Sequence, residues 1–395
     1  MDLFAGCGGF SEGFRSYTAS DDGSRAAFET IAAVDFDRTA LATFQANHPL
    51  AQAMEMSIED FAPDHFEGCV DVVTGGPPCQ GFSGLNKGYW DDPRNSLWRE
   101  YVRVVSTVRP LVFVMENVDR FKTSHEYAGL LETVQPGGPL GDYTLVEGLL
   151  NAADYGVPQA RKRTIIIGTH RELGAPVPLP MPTHSRDAGK HEVGLLPFDD
   201  GAMLRPWVPV DGVFNRSGRL EISGTVLPER FSADRVPGPY LTAELHIGRA
   251  PQALSLERYK AIPAGGNRKD LRGKHVLIDG REQYLSTEAW DRHNTGSGDV
   301  MGRLKLGRPS VTVRTEFFKP EKGRYLHPVE HRPITHYEAA LIQGFPEDYL
   351  WYGTKIDIAR QIGNAVPVGL ARALAGIIYE RLELDAGGLD RVAVC

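Results

Sequence analysis

The chain has 395 residues, of which 42% are hydrophobic and 24% charged, and its formal net charge is −8. This composition is typical of a globular protein, and no apolar run reaches the roughly 18 residues that a membrane-spanning helix needs. The first residues lack the basic stretch of a secretory signal. The charge argues weakly against a nucleic-acid partner, although such binding depends on where the charges lie. The length suits one large domain with a smaller one.

A glycine-rich segment, DLFAGCGGF at residues 2–10, opens the chain and is typical of a turn between a strand and a helix. Glycine lets the backbone approach a ligand closely and adopt positive φ. Asp35 follows the next predicted strand, residues 31–34, at a position that suits the hydroxyls of a ribose. The turn lacks the GxGxxG order of a dinucleotide site, and no Walker lysine follows it. A nucleoside without a pyrophosphate, such as S-adenosylmethionine, fits this pattern better.

Strand-like and helix-like segments alternate through the first half, which predicts an α/β fold with a parallel sheet and crossover helices. We predict strands at residues 31–34, 70–74, 111–115 and 164–168. Polar or reactive residues follow or flank these strands, and open α/β sheets bind ligands at that edge. The side chains that we expect to converge there are Asp35, Cys79, Glu116, Asn117, Arg161 and Arg163.

Cys79 lies in the segment GGPPCQGFS, residues 75–83, directly behind a predicted strand. The two prolines fix their own φ and extend the residue before each, so the chain leaves the sheet stiffly. This holds the sulfur at the edge of the sheet and suggests a nucleophile. A lone cysteine is more often inert packing, however, so position alone leaves both interpretations open. The four cysteines show no CxxC spacing, and we expect free thiols in a reducing cytosol.

Residues 170–330 are rich in Pro, Gly and Arg and have few helical periods, which predicts a second domain of loops and short strands. Residues 303–324 include seven basic residues and only two acidic ones. This excess predicts either a phosphate-binding cleft or the solvated face of a loop-rich domain.

Helical signals return near the C-terminus. Thr335 and Glu338 have the spacing of a capping box, which opens a helix that ends before Gly344. Pro367 opens a last helix, in which apolar residues recur three and four positions apart.

Six blocks stand in order along the chain: DLFAGCGGF, GGPPCQGFS, MENV, QARKR, QGFP and QIGNAVP. With them the chain resembles the DNA (cytosine-5)-methyltransferases over nearly its whole length, and the PPCQ block with the ENV block is highly specific. The resemblance implies a Rossmann-like S-adenosylmethionine methyltransferase sheet with helices on both faces, plus a smaller loop-rich target-recognition domain. It assigns residues 1–182 and 345–395 to the catalytic and cofactor-binding domain. Residues 183–344 would form the target-recognition domain and hinge.

The resemblance also implies catalytic roles in methyl transfer to C5 of a cytosine that is flipped out of duplex DNA. Cys79 would add to C6 of the base, which makes C5 nucleophilic. Glu116 would hold N3 and the exocyclic amine, and Arg163 would reach O2. Arg161 would orient nearby groups, and Asn117 would brace the strand end before Cys79. We expect no metal, and a water as the base that removes the C5 proton.

For the cofactor, the resemblance implies backbone contacts from the first turn and ribose binding by an acid. Ser57 stands where the family often carries an aspartate, and Glu59 or Asp60 are alternatives for that contact. Relatives carry more apolar residues before the first block, so we expect a short first strand or numbering from an internal methionine. The expected cofactor contacts are Asp2, Phe4, Ala5, Gly6, Cys7, Gly8, Gly9, Asp35, Phe36, Ser57, Ile58, Pro78, Leu97, Asn364 and Ala365.

Residues 80–97 resemble the catalytic loop of the family, and we expect Ser83, Lys87 and Arg94 to contact DNA. The expected partner is double-stranded DNA, bound by a monomer in a prokaryotic cytoplasm, associated with the nucleoid and without membrane contact. Methylation of a specific sequence would suit restriction-modification.

Three alternatives are an RNA (tRNA) cytosine-5 methyltransferase, a non-catalytic DNA-binding relative and a nicotinamide-dependent oxidoreductase. The long segment between QARKR and QGFP favours DNA, because it leaves room for a major-groove reader. The catalytic residues argue against a pure binder, which has no use for a thiol at Cys79. Nothing after residue 60 supports the oxidoreductase.

Overall fold

The computed structural model describes residues 1–19, 26–78, 96–188, 203–292 and 299–386. Packing divides the chain into two compact units. The first unit comprises Met1–Gly156, Lys162–Arg205 and Ala365–Cys395, and the second unit comprises Val157–Arg161 and Pro206–Asn364.

Both units contain helices and strands within the described ranges. The helices are α1 Gly9–Arg15, α2 Arg38–Asn47, α3 Leu97–Val108, α4 His125–Thr133, α5 Asp211–Ser217, α6 Ala253–Ala261, α7 Glu288–Arg292, α8 His336–Gln343, α9 Lys355–Asn364 and α10 Val368–Ala386. The strands are β1 Asp2–Leu3, β2 Ala32–Asp35, β3 Gln52–Glu55, β4 Val72–Gly75, β5 Val112–Asn117, β6 Tyr143–Asn151, β7 Gln159–Ala160, β8 Lys162–His170, β9 His184–Ser185, β10 Arg205–Pro206, β11 Tyr240–Leu241, β12 His275–Ile278, β13 Arg281–Tyr284, β14 Ser310–Val311 and β15 Leu350–Trp351. The four strands predicted in the first half are confirmed as β2, β4, β5 and β8.

The first unit is built on a sheet of seven strands among the described residues, in the order β3-β2-β1-β4-β5-β8-β6. Strands β1 to β5 pair in parallel, whereas β8 is antiparallel to both β5 and β6. The α/β prediction is confirmed, but a purely parallel sheet is wrong for β8. The chain between β6 and β8 is short, and antiparallel neighbours need no crossover helix.

Helices cover both faces of this sheet. Successive residues of a strand point to opposite faces, and Ala32 and Val34 of β2 belong to one buried cluster with Val105 of α3. Ala33, between them, belongs to a second cluster with Phe44 of α2. Strand β2 therefore carries buried apolar residues at three successive positions, which explains the continuous apolar run in its sequence.

The strand order reverses at β1 and β4, the neighbours at the centre of the sheet. In their register Leu3 lies opposite Gly75, so both strands end at the same level. Because the chain leaves β1 toward β2 and leaves β4 toward β5, the two loops diverge and open a crevice at this edge. The glycine-rich turn and the Pro77-Pro78 segment follow these two strand ends.

Two glycines of α1 let it lie close to α10 and to the segment that leads into α10. A Cβ on Gly9 would lie 2.6 Å from the Val366 carbonyl oxygen, and one on Gly13 would lie 2.9 Å from the carbonyl carbon of Ala371. Real Cβ atoms do not approach other atoms this closely, so this contact depends on glycine at both positions. The predicted last helix is confirmed, since Leu370 N–H donates to the Pro367 carbonyl in its first turn.

The second unit has a small core formed by Tyr259, Ile262, Leu271, Leu285, Met301 and Leu326. Arg303 is buried beside it and donates to the backbone carbonyls of Tyr259 and Ile262. Arg324 is also buried and lies 2.6 Å from Asp299. The interpretation of residues 303–324 as one exposed basic surface is wrong for these two arginines, because their guanidinium groups satisfy carbonyl and carboxylate groups of the loops.

The predicted capping box is confirmed at α8. Thr335 accepts from Glu338 N–H, and the Glu338 carboxylate accepts from Thr335 N–H. Gly344 ends the helix with φ of 90°. Among the described helices, no single one has the length and apolar composition needed to cross a membrane, although α9 and α10 meet both criteria when taken together.

Of the two cysteines within the described residues, one differs from expectation. Cys7 is a buried free thiol, but Cys69 is disulfide-bonded, so the prediction of free thiols is wrong for Cys69. Spacing along the sequence reports only local cysteine pairs, whereas a disulfide depends on proximity in the fold.

Gly13→Ala tests the contact between α1 and α10. We expect it to lower the free energy of unfolding by about 1–3 kcal/mol, because the added methyl group overpacks a tight interface. Gly212→Ala in α5 is the matched control, since a Cβ there meets nothing within 4 Å. The control should leave the free energy of unfolding unchanged or raise it by up to ~1 kcal/mol, because alanine has a higher helix propensity than glycine. Urea unfolding measures both, and a Gly13→Ala protein as stable as the control would contradict the packing.

Candidate active site

The candidate site lies where β4 and β5 end at the edge of the central sheet. Cys79, Ser83, Lys87 and Arg94 lie outside the described residues, and Pro78 is the last described residue before them. The site is therefore built from the described residues that surround this point in the first unit.

Glu116 and Arg163 form an ion pair at the end of β5. Arg163 Nε lies 2.6 Å from Glu116 Oε1, and the two side chains are only 16% and 12% exposed. Glu116 Oε1 is buried and accepts no hydrogen bond within the described part of the chain. A Cβ on Gly76 would lie 3.1 Å from Glu116 Oε2, so the carboxylate lies against the backbone that leads to residue 79. This arrangement leaves a buried carboxylate with acceptor capacity beside a guanidinium.

Asn117 connects the end of β5 to the chain after β4. Its Nδ2 donates to the Pro77 carbonyl at 3.1 Å, and its Oδ1 accepts from Val118 N–H at 2.8 Å. The side chain is buried. Since both amide atoms are used, Asn117 fixes the position of Pro77 relative to Glu116, its neighbour in sequence.

Arg161 belongs to the second unit, apart from Arg163 in the domain division. It is buried, and its Nη1 donates to the carbonyls of Val313 and Gly363, each at 3.0 Å. The Gly363 carbonyl lies in the last turn of α9, where a cation is favourable. The described contacts of Arg161 are therefore with the backbone of the second unit.

Asp35 holds the first turn in place. Its Oδ2 accepts from Gly6 N–H and its Oδ1 from Asp37 N–H, both at 2.8 Å. Burial raises the pKa of Asp35, although these backbone hydrogen bonds oppose the shift. Phe4, Gly6 and Gly8 have φ of 55°, 55° and 89°, so the turn coils back on itself. A Cβ on Gly6 would meet nothing within 4 Å, which leaves open space beside the turn.

Other members of the first turn are buried within the fold. Asp2 accepts from Ser11 Oγ at 2.8 Å and from Thr74 Oγ1 at 3.1 Å, and burial raises its pKa to about 6. Burial also raises the pKa of the Cys7 thiol well above its usual range. The side chains of Asp2 and Cys7 are therefore buried inside the protein, and Ala5 is buried as well.

The residues expected around an adenine have different environments. Phe36, directly after Asp35, is 74% exposed, whereas Ile58 is buried. Ser57 Oγ donates to Glu59 Oε2 at 2.7 Å. Leu97 begins α3 and is half-buried against the larger core. An exposed phenyl ring beside a carboxylate that anchors a glycine turn is chemically suited to a nucleoside.

The block QIGNAVP is divided between the two units. Asn364 is the exposed last residue of α9 in the second unit, and Ala365 begins the last segment of the first unit. A Cβ on Gly9 would lie 3.3 Å from Ala365 Cβ. Ala365 therefore packs at the beginning of α1, next to the first turn.

The sequence indicated that Pro77 and Pro78 form a rigid exit from the sheet, but it assigned neither Gly76 nor Pro77 a contact with another site residue. Their contacts with Glu116 and Asn117 join segments 40 residues apart, which no local pattern reports. The position of Gly76 and Pro77 in the GGPPC block was the sequence signal that could have identified them as site residues. Among the described residues, no group of three His, Cys, Asp or Glu side chains is placed to hold a metal ion.

Comparisons with known proteins show the relationship of this chain to others. A family model for C-5 cytosine-specific DNA methylases matches residues 1–197 and 252–380. The Type II methyltransferase M.XorII of Xanthomonas oryzae pv. oryzae is 32% identical, over 97% of this chain and 84% of that protein. The Type II methyltransferase M1.HphI of Haemophilus parahaemolyticus is 31% identical, over 96% of this chain and 86% of that protein.

A solved structure is similar over nearly the whole fold. The crystal structure of a putative DNA modification methyltransferase encoded within an E. coli prophage has a TM-score of 0.65 at 24% identity, and covers 97% of this chain and 98% of that one. This likeness confirms the methyltransferase fold. The family match and the relatives confirm the predicted resemblance and exclude the nicotinamide-dependent oxidoreductase. The chain belongs to the C-5 cytosine-specific DNA methylase family and is a DNA (cytosine-5-)-methyltransferase.

Proposed function

We propose that the chain transfers a methyl group from S-adenosylmethionine to C5 of a cytosine flipped out of a specific duplex DNA sequence, with Cys79 as the nucleophile. The main support is the buried ion pair of Glu116 and Arg163 beside Gly76, three residues before Cys79. In the proposal Cys79 supplies the nucleophile, and the buried carboxylate and guanidinium are two groups that can neutralise charge on a heterocycle.

In this proposal Cys79 acts by covalent catalysis. Its thiolate forms a bond to C6 of cytosine, and the C5–C6 double bond electrons move to C5, which becomes able to attack a methyl group. After transfer, the C5 proton passes to a water, the double bond re-forms and the C6–S bond breaks, which releases the thiolate. Cys79 is unchanged over the cycle.

Glu116 and Arg163 would stabilise the ring while it carries the adduct. Glu116 accepts from the exocyclic amine and shares a proton with N3, so that negative charge does not accumulate on the base. Arg163 donates to O2, since its guanidinium offers more N–H groups than its contact with Glu116 uses. Asn117 acts as a positioning residue, through Pro77.

The described residues fit S-adenosylmethionine, which supplies the methyl group on a sulfonium and leaves as S-adenosylhomocysteine. Asp35 would bind the ribose hydroxyls, because its oxygens keep lone pairs beyond the two backbone hydrogen bonds. Phe36 and Ile58 would flank the adenine, with Leu97 packed on it. The open space at Gly6 is consistent with close approach of a ligand to the turn. The roles of Asn364 and the other expected contacts stay predictions.

The substrate in this proposal is double-stranded DNA, bound by a monomer without membrane contact. We infer that residues 183–344 serve as target-recognition domain and hinge, and that Ser83, Lys87 and Arg94 contact the DNA. The family model leaves residues 198–251 unmatched, which supports a chain-specific role such as target choice. A prokaryotic cytoplasm, with the enzyme at the nucleoid and a role in restriction-modification, completes the proposal.

Trapping the covalent adduct tests the nucleophile. A duplex with 5-fluorocytosine should hold the adduct, because fluorine cannot leave C5 as the proton does. With a reductant present, so that the disulfide of Cys69 is open in every sample, we expect on a denaturing gel a cofactor-dependent adduct with the wild type and with the control Cys395→Ser, and none with Cys79→Ser. Calorimetry should show unchanged S-adenosylmethionine binding by Cys79→Ser. An adduct or near-wild-type turnover with Cys79→Ser would refute the assignment.

Asn117→Asp tests the positioning role, since it puts an acceptor opposite the Pro77 carbonyl. We expect kcat to fall at least about tenfold, because a misplaced nucleophile loses alignment. The KM for S-adenosylmethionine should stay within about twofold, as the variant leaves uniform binding intact. Asn215→Asp, exposed on α5, is the matched control and should behave as the wild type. A fall in kcat no larger than the control's would count against the role of Asn117.

A further inference from the structure

A cavity of about 700 Å³ lies within the second unit, formed by residues that the methylation site does not use. Its volume is in the range of small-molecule pockets, about 300–1,000 Å³. Most of its wall is apolar. The main apolar side chains are those of Val226, Phe231, Ile247, Phe318, Ile334 and Ile356.

Three of these apolar side chains are unusually open to solvent. Val226, Phe231 and Ile356 are 72%, 59% and 65% exposed. Single exposed apolar residues are common, but a concave group of them around one cavity marks a binding surface. Val226 and Phe231 also lie in residues 198–251, which the family model leaves unmatched.

Two cations at this cavity have no acidic partner among the described residues. Lys355 Nζ donates to the carbonyls of Thr225 and Gly248 at 2.7 and 3.0 Å, and Arg249 Nη1 donates to the Phe318 carbonyl at 3.2 Å. Burial lowers the pKa of Lys355, and the charge of Arg249 adds to this shift. The two positive charges therefore act on the same region without a compensating carboxylate.

The other charged groups of the wall are neutralised or solvated. Arg230 lies 2.6 Å from Glu244, and Arg332 lies 2.8 Å from Glu338. Glu229 is exposed and forms no ion pair with the cavity cations among the described residues. The field in the cavity is thus set mainly by Arg249 and Lys355, and it favours a negative group.

We propose that this cavity binds a small amphipathic anion, with an apolar body about the size of a fused aromatic ring and one carboxylate or sulfonate. The body would pack against Phe231, Phe318 and Ile356, and the anionic group would contact Arg249 and Lys355. A neutral analogue lacks the charge that these two cations need, and a cation is repelled. The inference does not rest on the proposed methylation mechanism, because every residue concerned belongs to the second unit.

Calorimetry on the full chain with 2-naphthoate and its neutral isostere 2-naphthamide tests the proposal. We expect 2-naphthoate to bind at least about tenfold more tightly than the amide, because charge-assisted hydrogen bonds are the stronger ones. Arg249→Gln should bring the affinity for 2-naphthoate close to that for the amide. Ile356→Ser should weaken both ligands at least about threefold, through lost apolar contact.

Matched controls lie on the hairpin β12–β13, whose residues do not line the cavity. Leu277→Ser removes an apolar side chain that is 73% exposed, and Arg281→Gln removes an exposed cation. Both controls should bind 2-naphthoate as the wild type does. Undetectable 2-naphthoate binding, equal affinity for acid and amide, or equal weakening by the controls would overturn the proposal. Thermal unfolding midpoints of all variants should match the wild type, since every substituted side chain is exposed.

Discussion

The short strand β1 is the constraint on which the first unit depends. Only Asp2 and Leu3 form it, yet it pairs with β2 on one side and with β4 on the other. Asp2 adds hydrogen bonds to Ser11 of α1 and Thr74 of β4. Because β1 joins both halves of the sheet and ends level with β4, it determines where the glycine turn and the Pro77-Pro78 segment begin.

Where the backbone leaves regular secondary structure, polar side chains donate hydrogen bonds to its carbonyl groups. Asn117 satisfies the carbonyl of Pro77 after β4, and in the second unit Arg161 and Arg303 each satisfy carbonyls at helix ends and in loops. A buried carbonyl without a partner is costly, and the guanidinium fork supplies up to five donors. The loop-rich second unit therefore holds its shape through arginines whose charges are not available to solvent.

The sheet was largely predictable because its signals are local: apolar runs, and glycines or prolines that stop them. The direction of each strand was not predictable, because a continuous apolar run has the same pattern in β5 and in the antiparallel β8. The sequence predicted that Glu116 and Arg163 would lie at the same edge of the sheet, but their ion pair depends on the direction of β8 and was not predicted. The burial of Arg303 was not predicted either, because a basic run has the same pattern whether it is solvated or buried among carbonyls.

We propose that Cys79, the cofactor contacts of the first turn and a DNA-reading segment serve one reaction, the methylation of cytosine in a specific sequence. Base-resolution mapping of 5-methylcytosine tests it most directly, on unmethylated genomic DNA incubated with the protein and S-adenosylmethionine beside a control without cofactor. We expect 5-methylcytosine at one cytosine of one short motif, and only with the cofactor. An absence of methylation, or methylation scattered without a common motif, would contradict it.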